Sequence, residues 1–150
     1  MYWLKFLETG EEAGELDWKA IGGTWGSATS KLNTWEQTID CLPQSLIETC
    51  KRINEADNKN GFTMSQYVLK FFDDMYHHLS NLRQHLKEGA DLNYILGNSS
   101  FYGNYVDTNE IIKEMLSKLG YSEANSIIIR KRNSRSHLYE YLISAVWKTK

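Results

Sequence analysis

Met64, Val68, Phe71, Met75, Leu79, Leu82 and Leu86 recur at spacings of three and four, the period of one face of an α-helix. A stripe that long has to be buried against something, so it sets the architecture more firmly than any other part of the chain. Thr63, with Gln66 three residues on, reads as a capping box at the start of this helix. Gly89 sits where a helix would end on a left-handed residue. Leu92-Asn93-Tyr94-Ile95-Leu96 then reads as a buried strand, and Gly97-Asn98-Ser99 falls at its carboxyl end. In open α/β sheets ligands bind outside the carboxyl ends of strands. Asn98 and Ser99 are therefore either substrate contacts or caps of a turn.

Upstream, Tyr2 to Leu7 is a short apolar segment that begins abruptly at Met1. Trp18 to Ser30, with Gly22, Gly23 and Gly26, reads as an irregular loop. Its tryptophans either pin it to a core or offer a stacking surface to a base. Pro43 suits the first turn of a helix that runs to about Ala56, with Leu46, Ile47, Cys50 and Ile53 on one face. Downstream, Ser99 to Val106 reads as a loop, and Asp107 or Thr108 caps a helix carrying Ile111, Ile112, Met115, Leu116 and Leu119. Ser126 to Arg130 and Leu138 to Val146 are two further strands, joined over Asn133 to Ser136 by a hairpin-length connection. The order is helices, then strand–helix–strand, then an antiparallel final strand.

A chain of 150 residues with 41% hydrophobic and 24% charged residues has the make-up of one globular domain. It has no apolar run of membrane-spanning length and no signal-peptide pattern. Cys41 and Cys50 lack CxxC spacing and a nearby histidine pair, which favours two reduced thiols in the cytoplasm over a disulfide and argues against a zinc site. His77, His78 and His85 lie on the long helix, and the last two are two turns apart, too far to share one metal. The net charge of −2 hides a polarity: five acids and no base lie between Glu8 and Asp17, whereas six bases face the single Glu140 after Ser126. The cluster Arg130, Lys131, Arg132 and Arg135 is either a nucleic-acid-facing patch or a solvated hairpin.

Several of these pieces, in this order, resemble the C-terminal half of the DNA amino-methyltransferases, which methylate N4 of cytosine or N6 of adenine. They are Phe71-Phe72-Asp73-Asp74-Met75-Tyr76, Leu86-Lys87-Glu88-Gly89, Ile95-Leu96-Gly97-Asn98-Ser99, Asp107-Thr108 with Ile111-Ile112, and Arg130-Lys131-Arg132-Asn133-Ser134 with Leu138-Tyr139-Glu140-Tyr141. The match covers most of residues 62–148. The resemblance implies an α/β fold, the last three strands of a Rossmann-like class I methyltransferase sheet with its final strand antiparallel. Residues 62–150 would form that part of a single partial domain. Residues 1–61 would be a helical and loop region that follows the family's catalytic motif.

The resemblance also implies S-adenosylmethionine as cofactor and DNA as partner. It places Asn98, Ser99 and Tyr102 around the target base, and Arg130, Lys131, Arg132 and Arg135 on DNA. Target reading would fall between Trp18 and Pro43. The family's glycine-rich F-x-G-x-G turn and its Pro-Pro-aromatic clamp have no counterpart, because the chain holds one proline and no G-x-G. Gly22-Gly23-Thr24-Trp25-Gly26 follows no strand and is rejected as a nucleotide loop. The expectation is a fragment that is inactive alone, since neither methyl donor nor amino group would be positioned. Its missing N-terminal half would be its partner, with no metal and no membrane. The alternatives are a stand-alone nucleic-acid-binding or regulatory module, and one subunit of a split methyltransferase.

Overall fold

The computed structural model describes residues 6–23, 25–57, 59–133 and 137–148. Four helices come first: α1 (Gly10–Lys19), α2 (Trp25–Leu32), α3 (Gln44–Ala56) and α4 (Gly61–Leu82), the last followed by a 3₁₀ turn at Arg83–His85. Then come β1 (Asp91–Gly97), a hairpin of β2 (Ser99–Phe101) and β3 (Asn104–Val106), α5 (Thr108–Lys118), β4 (Ser122–Lys131) and β5 (Tyr139–Val146). The apolar segment at Tyr2–Leu7 lies mostly outside the described residues.

The larger sheet has the order β1–β5–β4, with β5 antiparallel to both neighbours. β1 and β4 are therefore parallel to each other, and their carboxyl ends lie at the same end of the sheet. The registers Leu92↔Ala145, Tyr94↔Ile143 and Leu96↔Tyr141 put these side chains on one face, because strand residues alternate sides. That face meets Phe72, Met75 and Leu79 of α4 and Ile111, Ile112, Met115 and Leu116 of α5 in one continuous core. The opposite face carries the row Ile95, Leu142 and Ile127, with Ile95 66% and Ile127 55% exposed. Among the described residues no strand pairs with the far edge of β1.

Long-range bonds fix the helices to one another. Tyr121 is buried, donates its hydroxyl to the Leu79 carbonyl (2.8 Å) and stacks edge-on against Trp147. Arg83 donates to the Leu119 carbonyl (3.0 Å), which ties the end of α4 to the end of α5. Asp73, 2% exposed, accepts from the Thr38 and Ile39 amides and from the Thr38 hydroxyl at 2.7–3.1 Å. The Thr38 hydroxyl proton is thereby used, so His77 Nε2, 2.6 Å from the same oxygen, must be the donor of that pair.

Three local expectations are corrected. The region from Trp18 to Ser30 is not a loop, since most of it belongs to α1 and α2. Thr9 caps α1 by accepting from the Glu12 amide (3.2 Å), and the Glu12 carboxylate accepts from the Glu8 amide (2.7 Å). The Thr63–Gln66 capping box does not form: α4 starts earlier, at Gly61, and these side chains bond instead to Asn33 and to the Trp35 carbonyl. Ser99 to Val106 is not a loop but the β2–β3 hairpin, turned by Tyr102 (φ 51°) and Gly103 (φ 79°). The connection at Ser134–Ser136 lies outside the described residues.

Both cysteines are free, Cys41 exposed and Cys50 buried, and burial pushes the Cys50 thiol up from 9.0 to about 12. An acid whose pKa is raised in the fold favours its neutral form there. Its contribution to stability is therefore complete below pH 9.0 and is lost as pH rises toward 12. Ellman's reagent at pH 8 is expected to modify Cys41 at once and Cys50 only after unfolding. Two thiols reacting together in the native protein would contradict this packing.

Candidate functional site

An apolar cavity of about 280 Å³ opens beneath α4 at the carboxyl end of β1. Tyr67, Val68, Phe71 and Phe72 of α4 form one wall, Leu96 and Gly97 of β1 the floor, and Ser99, Phe101, Val106 and Thr108 the far side. Phe71 and Phe72 meet edge-to-face with ring centroids 5.1 Å apart, and both line the space. A concave apolar space with a few polar rim atoms is the usual form of a small-molecule or base pocket. Ser99 and Thr108 supply that rim.

Asn98 lies next to this rim and is wholly buried. Its amide donates to the Tyr139 carbonyl (3.1 Å), its carbonyl accepts from Arg132 Nη1 (2.9 Å), and its side-chain nitrogen donates to the Tyr105 hydroxyl. Its Oδ1 has no partner. An unpaired buried carbonyl costs about 1–3 kcal/mol, so a ligand N–H reaching Oδ1 would recover stabilisation the fold forgoes. The Tyr105 hydroxyl is pushed up to about 12, first by burial and then by Tyr141 beside it, against the opposing effect of the Asn98 bond. The residue stays neutral at working pH and can hold that bond.

The third substrate candidate, Tyr102, does not join them. It sits in the β2–β3 turn with φ 51°, a conformation that costs a non-glycine residue strain. Its hydroxyl bonds to Asp57 in the α3–α4 connection, and it does not line the cavity. Asp57 is held below the usual carboxylate range, first by the Lys59 amide and in lesser part by Tyr102. Asn104 Nδ2 donates to the Arg52 carbonyl (3.4 Å), so the hairpin tip is fastened to α3.

Arg130 and Lys131 end β4 and Arg132 follows it, at the same end of the sheet as Gly97, Asn98 and Ser99, because β1 and β4 run parallel. Their roles differ. Arg130 makes a two-point ion pair with Glu140 (2.7 and 3.1 Å) across the β4–β5 ladder, and this pairing holds the Glu140 carboxyl below its usual range. Arg132 lies over Gly97, its Nη1 3.1 Å from where a Cβ would stand. A side chain there would displace the guanidinium. Lys131 is exposed, and Arg135 lies outside the described residues. The cationic patch is smaller than the bare count of bases suggests, and none of its residues lines the cavity, which it adjoins where Arg132 lies over Gly97.

A second, polar cleft of about 540 Å³ lies between α3, the hairpin turn and α5, lined by Glu48, Arg52, Asp107 and Glu110 among others. Burial, and then Glu110, raise the Asp107 carboxyl above its usual range. Among the described residues no group of three or more His, Cys, Asp or Glu could hold a metal ion, and no helix is long and apolar enough to cross a membrane. Gly22 and Gly23 do not form a nucleotide-type loop either. Gly22 and Gly23 join two helices, whereas a dinucleotide-type turn joins a strand to a helix.

Comparison with protein-family models, with curated proteins and with solved structures found no match to this chain.

Proposed function

We propose that the chain is the sheet-closing, DNA-facing portion of a DNA amino-methyltransferase and does no chemistry by itself. The observation that carries this reading is the coincidence, at one end of two parallel strands, of an aromatic-walled cavity and, adjoining it at Gly97, a small cationic patch. A cavity of this form suits a planar base taken out of its stack. Lys131 and the free edge of the Arg132 guanidinium would meet the flanking phosphates. The strand–helix–strand unit, with its last strand antiparallel between the other two, supports the family resemblance. Asn98 Oδ1 would accept from a base amino group. Methyl transfer would require the glycine-rich turn and the Pro-Pro-aromatic clamp, which these 150 residues lack.

The test is fluorescence anisotropy with a duplex that holds one unpaired base, read across a salt series. Binding is expected to weaken steeply with salt, and Lys131→Ala is expected to weaken it and lower the salt slope by about one. Absence of binding at low salt would remove the nucleic-acid reading.

The continuous core around Phe72, Met115 and Ile143 favours a second reading, a stand-alone nucleic-acid-binding module. Sedimentation separates the two. A monomer that melts cooperatively favours the module, and a chain that stays soluble only with a partner favours the split enzyme.

A further inference from the structure

We propose that the Trp18–Gly23 segment is a strap whose seating on α4 competes with filling of the aromatic cavity. Asp74 accepts from the Gly22 amide (3.0 Å), and Lys70 both pairs with Asp74 and donates to the Trp18 carbonyl (3.4 Å). The Lys70 ammonium also stands 4.6 Å from the centre of the Trp18 ring. Tyr67 donates its hydroxyl to the Gly23 carbonyl (3.4 Å). Tyr67, Lys70 and Asp74 are i, i+3 and i, i+4 neighbours on one face of α4, so the strap crosses the helix on a row of three side chains.

The same row borders the cavity. Tyr67 and Phe71 line it, and Phe71 Cδ2 lies 3.1 Å from where a Cβ on Gly22 would stand. Phe71 is thus shared by the strap and the cavity. Beside it, Phe72 is 1% exposed and packed into the core, so once the cavity is filled Phe71 is held between its occupant and Gly22. Gly22 and Gly23 both have positive φ (74° and 55°), a conformation natural to glycine, and they form the hinge on which the strap turns. A ring that enters the cavity pushes Phe71 toward Gly22. The strap then gives way, because its tethers are a few bonds to α4 and not a packed core. Coupling of this kind is reciprocal, so loosening the strap eases entry to the cavity.

Hydrogen–deuterium exchange on the full chain tests this without any assumption about nucleic acid. Ser99→Phe fills the cavity from the side opposite the strap. Exchange at residues 18–23 is expected to rise at least several-fold, while α5 and β5 keep their protection. Adding Phe71→Leu should restore the wild-type rate by making room. Unchanged exchange at 18–23 in a folded Ser99→Phe protein overturns the proposal. Should Ser99→Phe not fold, Asp74→Asn loosens the strap directly, and indole serves as the probe. Several-fold tighter indole binding than to wild type supports the coupling; equal affinity, or no binding to either protein, overturns it.

Discussion

Asp73→Ala is expected to lower the unfolding free energy by about 2–6 kcal/mol, the scale for leaving two buried amides without acceptors. The carboxylate is 2% exposed and receives two amides and one hydroxyl from Thr38 and Ile39. Alanine would leave both amides unsatisfied, at about 1–3 kcal/mol each. No side chain nearby can replace both acceptor oxygens. The segment before α3 would separate from α4 first, so exchange at Thr38 and Ile39 should rise before global unfolding. Asp73→Asn keeps one acceptor oxygen and should cost clearly less. Urea denaturation reads both values, and a loss below about 1 kcal/mol for alanine would mean that water replaces the carboxylate freely.

Gly61→Ala is expected to be comparably harmful, although alanine favours helices by up to about 1 kcal/mol over glycine. A Cβ at Gly61 would lie 2.3 Å from the Asn54 carbonyl oxygen and 3.0 Å from that of Ile53. Both are backbone atoms of α3 and cannot rotate aside, so the two helices must separate. Overpacking of this kind costs about 1–3 kcal/mol or more. Gly14 in α1, with nothing within 4 Å of its would-be Cβ, is the control. There alanine should leave the fold intact and raise helicity slightly. A Gly61→Ala protein as stable as wild type would show that α3 and α4 pack less closely than the 2.3 Å approach implies.

The elements that could be read in the sequence are those whose side chains repeat with a strong period. The stripe from Met64 to Leu82, the strand around Leu92–Leu96, the helix carrying Ile112 and Met115, and the final antiparallel strand were all legible this way. α1 was obscured by its glycines, although Thr9 and Glu12 carried a capping signature that could have revealed it. The β2–β3 hairpin was hidden because its left-handed turn begins with Tyr102 instead of asparagine or glycine. Thr63 and Gln66 misled because their partners, Asn33 and Trp35, are some thirty residues away, where a local rule does not reach.

The candidate site divides in the same way. Asn98 and Ser99 could be placed at the end of a strand from pattern alone. That Arg130 is taken up by Glu140 depends on the β4–β5 register, and that Tyr102 turns to Asp57 depends on how the hairpin docks on α3. The aromatic cavity has no sequence signature, because Tyr67, Phe71, Phe101 and Val106 come together only through the packing of α4 over the sheet.

The far edge of β1 carries main-chain donors and acceptors that no described strand meets, beside an isoleucine turned largely to water. Natural sheets blunt such edges with charge, proline or a bulge, and in β1 only Asp91 does so. In a crowded solution an edge like this templates further strands, so two molecules that touch there can go on adding others. How far such association goes is then set by how soon this edge is covered.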